Sequence, residues 1–439
     1  MILFLDPAFI DSFLATLLMS VSMALIGTVC VVKKKSLTGE MLSHAALPGV
    51  AFAHLVFGSI AATSDALFSL IVMLSALCGC MVVLKWAKGM IASRYSEDAT
   101  LSMLLAWSLG LGVLIQSLMQ KKEPLLYKKS QLFFFGQAAT LMQEHVVIYG
   151  VLAVVLSIVF VLAHTRLKWL LFDESFVLLL QPKMQRLDAV IQVFIALAIC
   201  IGIRSVGVIL VSGMLIIPVM AARRWSLSLA GLYVLSALFA LLSASIGNAL
   251  SFMIPAWLDD RYGLSVTLPL GPMMIIVAFA ILMVSVLISN RDGWLVLIYK
   301  QLKATHKIHE ENGLKRLWKV KQKKRFSYRE MVALLHPEPV IARWLFLSFW
   351  AKGFLIPNAN GFCISQKGLQ SAAHIVRIHR LFEVYLSKEL HVDLKNVHGI
   401  AEELEHVITP EMERELSALL KNPLTDPHLR PIPQEKGRI

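Results

Sequence analysis

Long apolar runs separated by short polar breaks fill the chain up to about residue 289, and there the pattern stops. A helix needs about 20 mainly apolar residues to cross a bilayer. Spans are read near 9–32, 45–62, 64–85, 99–119, 145–164, 188–203, 206–222, 226–254 and 269–289. The stretch 188–222 is too long for one pass and is expected to break at Arg204-Ser205, giving nine spans, with eight as the alternative count. After Asn290 the periodicity becomes that of a soluble protein. Segment 326–353 is helical with a break at HPEP (336–339), and Gly353 ends its second helix. IPNANGFCIS (356–365) predicts two short strands around an Asn-Gly turn. Helices follow near 366–390 and 395–421, then a Pro-rich tail, NPLTDPHLRPIP. Helix, turn, helix and a small β-wing is the organisation of a winged-helix DNA-binding domain.

Composition agrees with a membrane half and a soluble half. Of 439 residues, 57% are hydrophobic and 16% charged, with a mean hydropathy of +0.69; ordinary soluble domains lie nearer 45–50% and 25%. MILFLDP lacks the basic start of a cleavable signal, so the first apolar run is read as a span. The net charge of +13 calls for an anionic partner, either lipid or nucleic acid. Much of it lies in THKIHEENGLKRLWKVKQKKRF (305–326). Lys33-Lys34-Lys35, the Lys85–Arg94 stretch, Arg166-Leu167-Lys168 and Arg223-Arg224 would all be cytoplasmic if the N-terminus is outside. Nine spans then place the C-terminal half in the cytoplasm. KKEPLLYKK (121–129) dissents, as a basic loop on the outer side. Cys30, Cys78, Cys80, Cys200 and Cys363 have no disulfide-framework or metal-finger spacing.

Two groups of residues carry candidate chemistry. Glu40 and His44 lie four apart, hence on one helix face, inside a span where ionisable groups are costly. An oxygen and an imidazole nitrogen suit manganese, ferrous iron or zinc; the alternative is an acid at a helix start and an interfacial histidine. In the soluble half His379 and Glu383 are one turn apart, and His398, Glu402, Glu405 and His406 form a stripe at i, i+4, i+7 and i+8. Two such facing helices can build a nitrogen–oxygen metal site, or the stripe can be a solvated charged face. No G-x-x-x-x-G-K-[ST] motif occurs, so no nucleotide is bound by this chain. No nucleophile–base set or H-E-x-x-H motif points to an enzyme.

SLTGEMLSHAALPGV (36–50) resembles the G-(D/E)-x-x-S-H-x-x-L-P-G segment of the zinc/manganese/iron-type ABC permeases. FFFGQ (133–137) and SVGVILVSGMLIIPVMAAR (205–223) are similar to two further family segments, with Gln137 where the family commonly has Asp. The resemblance covers about residues 5–290. It implies a permease in the bacterial plasma (inner) membrane, paired with itself or a second permease. It also implies a separate cytoplasmic ATP-binding subunit, an extracellular or periplasmic metal-binding protein, and a metal path lined by Glu40 and His44. Arg223 and Arg224, in AARRWSLSL, are the expected coupling surface to the ATP-binding subunit.

The segment from HRLFEVYL to DPHLRPIP resembles the iron-dependent repressors of the diphtheria-toxin-repressor type, over about residues 309–433. That resemblance implies dimerisation and metal-dependent operator binding. By position it assigns His379, Glu383 and His398 to one metal site and Glu402, Glu405 and His406 to another, with Glu311 near a remaining ligand. Glu402 stands where iron-type members carry Cys, which tilts the site towards manganese or iron rather than zinc. The expected recognition helix, PVIARWLFLSFWAKGFL (339–355), is rich in aromatics. Only Arg343 and Ser348 suit base edges, with Lys352 for phosphate. The expected architecture is mainly α: a membrane bundle of eight or nine spans (1–290), a basic linker (291–325), a winged-helix-like domain (326–370) and a metal-binding and dimerisation domain (371–439). The expected function is metal import, with the C-terminal part a metal-responsive repressor that proteolysis can release. The alternative is a metal-sensing brake on transport that does not bind DNA.

Overall fold

The computed structural model describes residues 7–58, 65–136, 141–181, 184–289, 293–320, 325–358 and 361–434. These fall into two compact units, Met1–Val296 and Leu297–Ile439. The first contains α1 (Pro7–Val32), α2 (Ser36–Phe57), α3 (Asp65–Ala92), α4 (Glu97–Lys122), α5 (Pro124–Phe135) and α6 (Gln143–Leu162). It continues with α7 (His164–Phe172), α8 (Glu174–Leu180), α9 (Met184–Val206), α10 (Val208–Arg223), α11 (Leu229–Tyr262) and α12 (Leu270–Ile288). Among the described residues eight helices are long and apolar enough to cross a bilayer: α1, α2, α3, α4, α6, α9, α11 and α12. The 16 residues of α10 reach about 24 Å at the helical rise, short of the roughly 30 Å of hydrocarbon. The count thus lies within the expected eight to nine.

α1 is largely buried and packs on α6, α9, α10 and α11, whereas α3, α4 and α6 turn most of their apolar surface outward. Helix contacts rely on small residues, as is usual where lipid offers no hydrophobic drive. A Cβ on Gly27 of α1 would lie 1.8 Å from the Leu215 carbonyl oxygen of α10. Asn248 of α11 donates to Thr16 of α1 at 2.9 Å, and Thr28 meets Ser236 at 3.0 Å.

Three boundaries differ from the sequence reading. α2 begins at Ser36 rather than 45, because Thr38, Glu40, Ser43 and His44 lower the hydropathy without interrupting the helix. The α9–α10 break falls at Gly207, not Arg204-Ser205; Gly207 has φ 91°, which glycine adopts without a Cβ penalty, while Ser205 bonds back to the Gly202 carbonyl within the helix. The basic stretches 85–94 and 121–129 are partly helical, in α3, α4 and α5.

The second unit is reached within α13 (Trp294–Lys319), so the basic stretch 291–325 is largely helical where described. α14 (Tyr328–Leu335), α15 (Pro339–Ala351), β1 (Leu355–Asn358) and β2 (Gly361–Ile364) follow, then α16 (Gln366–Lys388), α17 (Leu394–Leu404) and α18 (Pro410–Leu419). β1 and β2 pair antiparallel from Leu355↔Ile364 to Asn358↔Gly361, the expected wing. Leu314, Leu317, Met331, Leu345, Phe346, Phe349 and Leu355 form one core beneath it. The single helix expected over 395–421 is broken. Residues Glu405–Val407 tighten into a 3₁₀ turn, and Pro410 starts α18 behind a Thr409 cap that accepts from the Met412 amide. Proline cannot supply the amide that continuing α17 would need.

Candidate metal centres

In the first unit Glu40 and His44 lie one turn apart on α2, both half-buried. His44 Nδ1 is buried with no hydrogen-bond partner. A buried ring nitrogen left unpaired is costly, so the position suits a transient ligand better than a packing role. Arg223 and Arg224 close α10 and lead into a loop that exposes Trp225 and Leu227. Gln137 lies outside the described residues.

In the second unit α16 presents His379 and Glu383 on successive turns, and the N-terminal half of α17 brings His398 against them. His379 Nε2 lies 3.0 Å from His398 Nδ1 and 3.2 Å from Glu383 Oε1, and His398 Nδ1 is 2.9 Å from that same oxygen. Three ligand atoms about 3 Å apart match adjacent positions around an octahedral ion with bonds of about 2.1 Å. Among the described residues this is the group that gathers three histidine or acidic ligand atoms closely enough to hold an ion. The donors therefore fit a divalent metal of the first transition row. His379 Nδ1 meets Glu405 Oε2 at 2.6 Å, the outer carboxylate that commonly orients a metal-bound imidazole.

The electrostatics follow from these contacts. Burial works to lower the His379 pKa, but hydrogen bonds to Glu383 and Glu405 outweigh it and raise the imidazole to about 9. Burial would push Glu383 up, yet His379 and His398 hold its carboxyl down at about 2. Glu405 is also held below the usual carboxylate range, against its burial, by His379 and Lys315.

The remaining expected ligands are arranged differently. His406 Nδ1 contacts Glu311 Oε2 at 2.5 Å, and Lys315 Nζ lies 2.6 Å from Glu405 Oε1 and 3.4 Å from Glu402 Oε1. Of the expected DNA contacts, Arg343 is exposed. Ser348 Oγ donates to Glu310 at 2.5 Å, and the Lys352 ammonium lies 2.6 Å from both Glu310 oxygens. Phe346 and Phe349 are core, while Trp344 and Trp350 are half exposed. The sequence reading missed Lys307, Glu310 and Lys315. Each lies on α13 and meets a partner far along the chain; their only signal was the helical phase that buries Leu314 and Leu317 beside them.

Residues 6–289 match the profile of the "ABC 3 transport family". Residues 365–434 match "Iron dependent repressor, metal binding and dimerisation domain". A "Probable metal transport system membrane protein" of Chlamydia trachomatis serovar D is 29% identical, covering 98% of this chain and 97% of the relative. The "Zinc transport system membrane protein TroC" of Treponema pallidum is 30% identical over 68% of this chain and 95% of its own length. The fold of the solved structure "PsaBC from Streptococcus pneumoniae in complex with Fab" covers 65% of this chain and 94% of that one, with a TM-score of 0.52 and 18% identity.

Proposed function

Because this chain belongs to the ABC 3 transport family, as a multi-pass metal-transport permease with a repressor-type C-terminal domain, we propose that it is the permease subunit of an ATP-driven importer of manganese, ferrous iron or zinc. Its C-terminal unit senses the imported metal. The ion passes Glu40 and His44, for which the unpartnered buried Nδ1 of His44 is the support. The energy comes from a separate ATP-binding subunit that docks at Arg223 and Arg224. A metal-binding protein outside the membrane delivers the ion, and two permease copies form the pathway. The basic stretches at Lys33, Arg166 and Arg223 are cytoplasmic, as is the C-terminal unit, in a bacterium.

The observation that carries the sensing half is the His379, Glu383 and His398 group, held between two helices and backed by Glu405. The metal, when bound, supplies a cross-link between α16 and α17. Two imidazoles and a carboxylate, with no thiolate, suit manganese, ferrous iron or zinc. The loaded domain represses transcription of import genes, and cleavage near 290–325 frees it to reach DNA. The wing and the exposed Arg343 support DNA binding. Gel-shift of residues 297–439 with the chain's own promoter, with and without manganese or ferrous iron, tests it; a metal-dependent shift is expected.

One observation favours the second reading, a brake on transport that never touches DNA. Glu310 engages both Ser348 and Lys352, and the exposed face of α15 carries Trp344, Leu347 and Trp350 beside the single Arg343. No shift at low salt, together with faster uptake when His379 and His398 are replaced by Ala, would select the brake.

A further inference from the structure

The second nitrogen–oxygen constellation of the C-terminal unit already contains a cation. Glu311 on α13, Glu402 on α17, and Glu405 and His406 on the following 3₁₀ turn supply carboxylates and an imidazole of the type that hold a divalent ion. Two of the four, Glu405 and Glu402, share the Lys315 ammonium as a neighbour, with Nζ 2.6 Å from Glu405 Oε1 and 3.4 Å from Glu402 Oε1. Its side chain is 13% exposed and that of Glu405 1%, so this is an enclosed pair and not a surface contact. Lys307 closes the other side, donating to the His406 carbonyl at 3.0 Å and lying 3.6 Å from Glu311. His406 Nδ1 is taken by Glu311.

Lys315 cannot easily leave. Its neighbour Leu314 and the next-turn residue Leu317 are both buried in the core of the unit, which fixes the rotation of α13 and aims the lysine stem at the 3₁₀ turn. An ion entering between Glu402 and Glu405 would have to displace this ammonium from the buried Glu405 carboxylate, a charge-assisted contact at 2.6 Å.

We propose, building on the sensing role of the unit, that Lys315 is a tethered cation standing in the second constellation. The unit then takes one divalent ion, at His379, Glu383 and His398, instead of two. The link from α13 to α17 and its 3₁₀ turn is made by ion pairs and needs no metal. Metal dependence is confined to the α16–α17 contact.

The test counts manganese bound to the full chain in lipid nanodiscs, by equilibrium dialysis and elemental analysis. Lys315→Met is expected to bind one more equivalent than wild type, Lys315→Arg the same number, and Lys315→Met combined with Glu402→Ala to return to the wild-type count. Glu402→Ala alone, which keeps the Lys315–Glu405 pair, is expected to bind as wild type does. Loss of one equivalent in Glu402→Ala, or no gain in a folded Lys315→Met, overturns the proposal. If Lys315→Met does not fold, the Glu402→Ala count alone decides. The His379→Ala/His398→Ala variant keeps the two ideas apart. A count unchanged by that variant overturns the sensing reading, whatever Lys315 does.

Discussion

Binding of a metal at His379 must displace a proton, and the size of the effect follows from the site. The Glu383 and Glu405 carboxylates hold the metal-free imidazole at about 9, so only about 1% of it is neutral at pH 7. A metal takes the neutral ring. Glu383, held at about 2, is already ionised and releases nothing. Apparent affinity at pH 7 is therefore about 100-fold weaker than at full deprotonation, and it should recover about tenfold per unit as pH rises towards 9. The perturbation is pH alone. The assay is competition dialysis of manganese on the full chain at pH 6.5, 7.5 and 8.5, with binding to His379→Gln subtracted to remove sites elsewhere. Calorimetry in buffers of different ionisation enthalpy should show about one proton released per ion at pH 7. A flat affinity across this range, or a heat independent of buffer, would refute the proposed electrostatics.

Further outcomes follow from the same contacts. In the metal-free protein the raised His379 contributes stability that is fully present below about 6.5 and is lost as pH rises through about 9; thermal melts in chelator should show the C-terminal unit weakening over that window. Arg377→Ala takes from Glu413, whose side chain is 8% exposed, its guanidinium partner at 3.3 Å and leaves it His374 at 3.6 Å, so denaturant unfolding of that unit should show a loss of about 3 kcal/mol. Gly27→Leu drives a side chain into the Leu215 backbone and should abolish folded protein in the membrane, whereas Gly110→Leu, with nothing within 4 Å of its added Cβ, should be recovered near wild-type yield.

The helical spans were legible because apolar length is a one-dimensional property. The two paired strands of the wing were equally plain, although residues 359–360 of the N-A-N-G turn lie outside the described residues. The His379–Glu383 pair followed from helical spacing alone, whereas spacing put His398 with Glu402, and only the resemblance to the iron-dependent repressors grouped it with His379 and Glu383. What escaped the sequence is what depends on packing across the chain. The inward-facing Glu40 and His44 shortened the predicted α2, because a hydropathy window cannot tell a polar group facing the interior from one ending a helix. The stripe through His398, Glu402, Glu405 and His406 read as one face, but the 3₁₀ turn at Glu405–Val407 sends His406 to Glu311 of α13 while Glu405 reaches both His379 of α16 and Lys315 of α13. Lys315 was invisible as a participant because its partners lie some 90 residues away, and nothing in a basic run marks a lysine whose helical phase points inward.

The most direct measurement is X-ray absorption at the manganese edge on the full chain carrying a single equivalent of manganese. Two imidazole nitrogens and otherwise oxygen ligands, lost together in the His379→Ala/His398→Ala variant, are the expected result. A shell with sulfur, or one of oxygen alone that the variant leaves unchanged, would contradict a metal-sensing site at His379, Glu383 and His398.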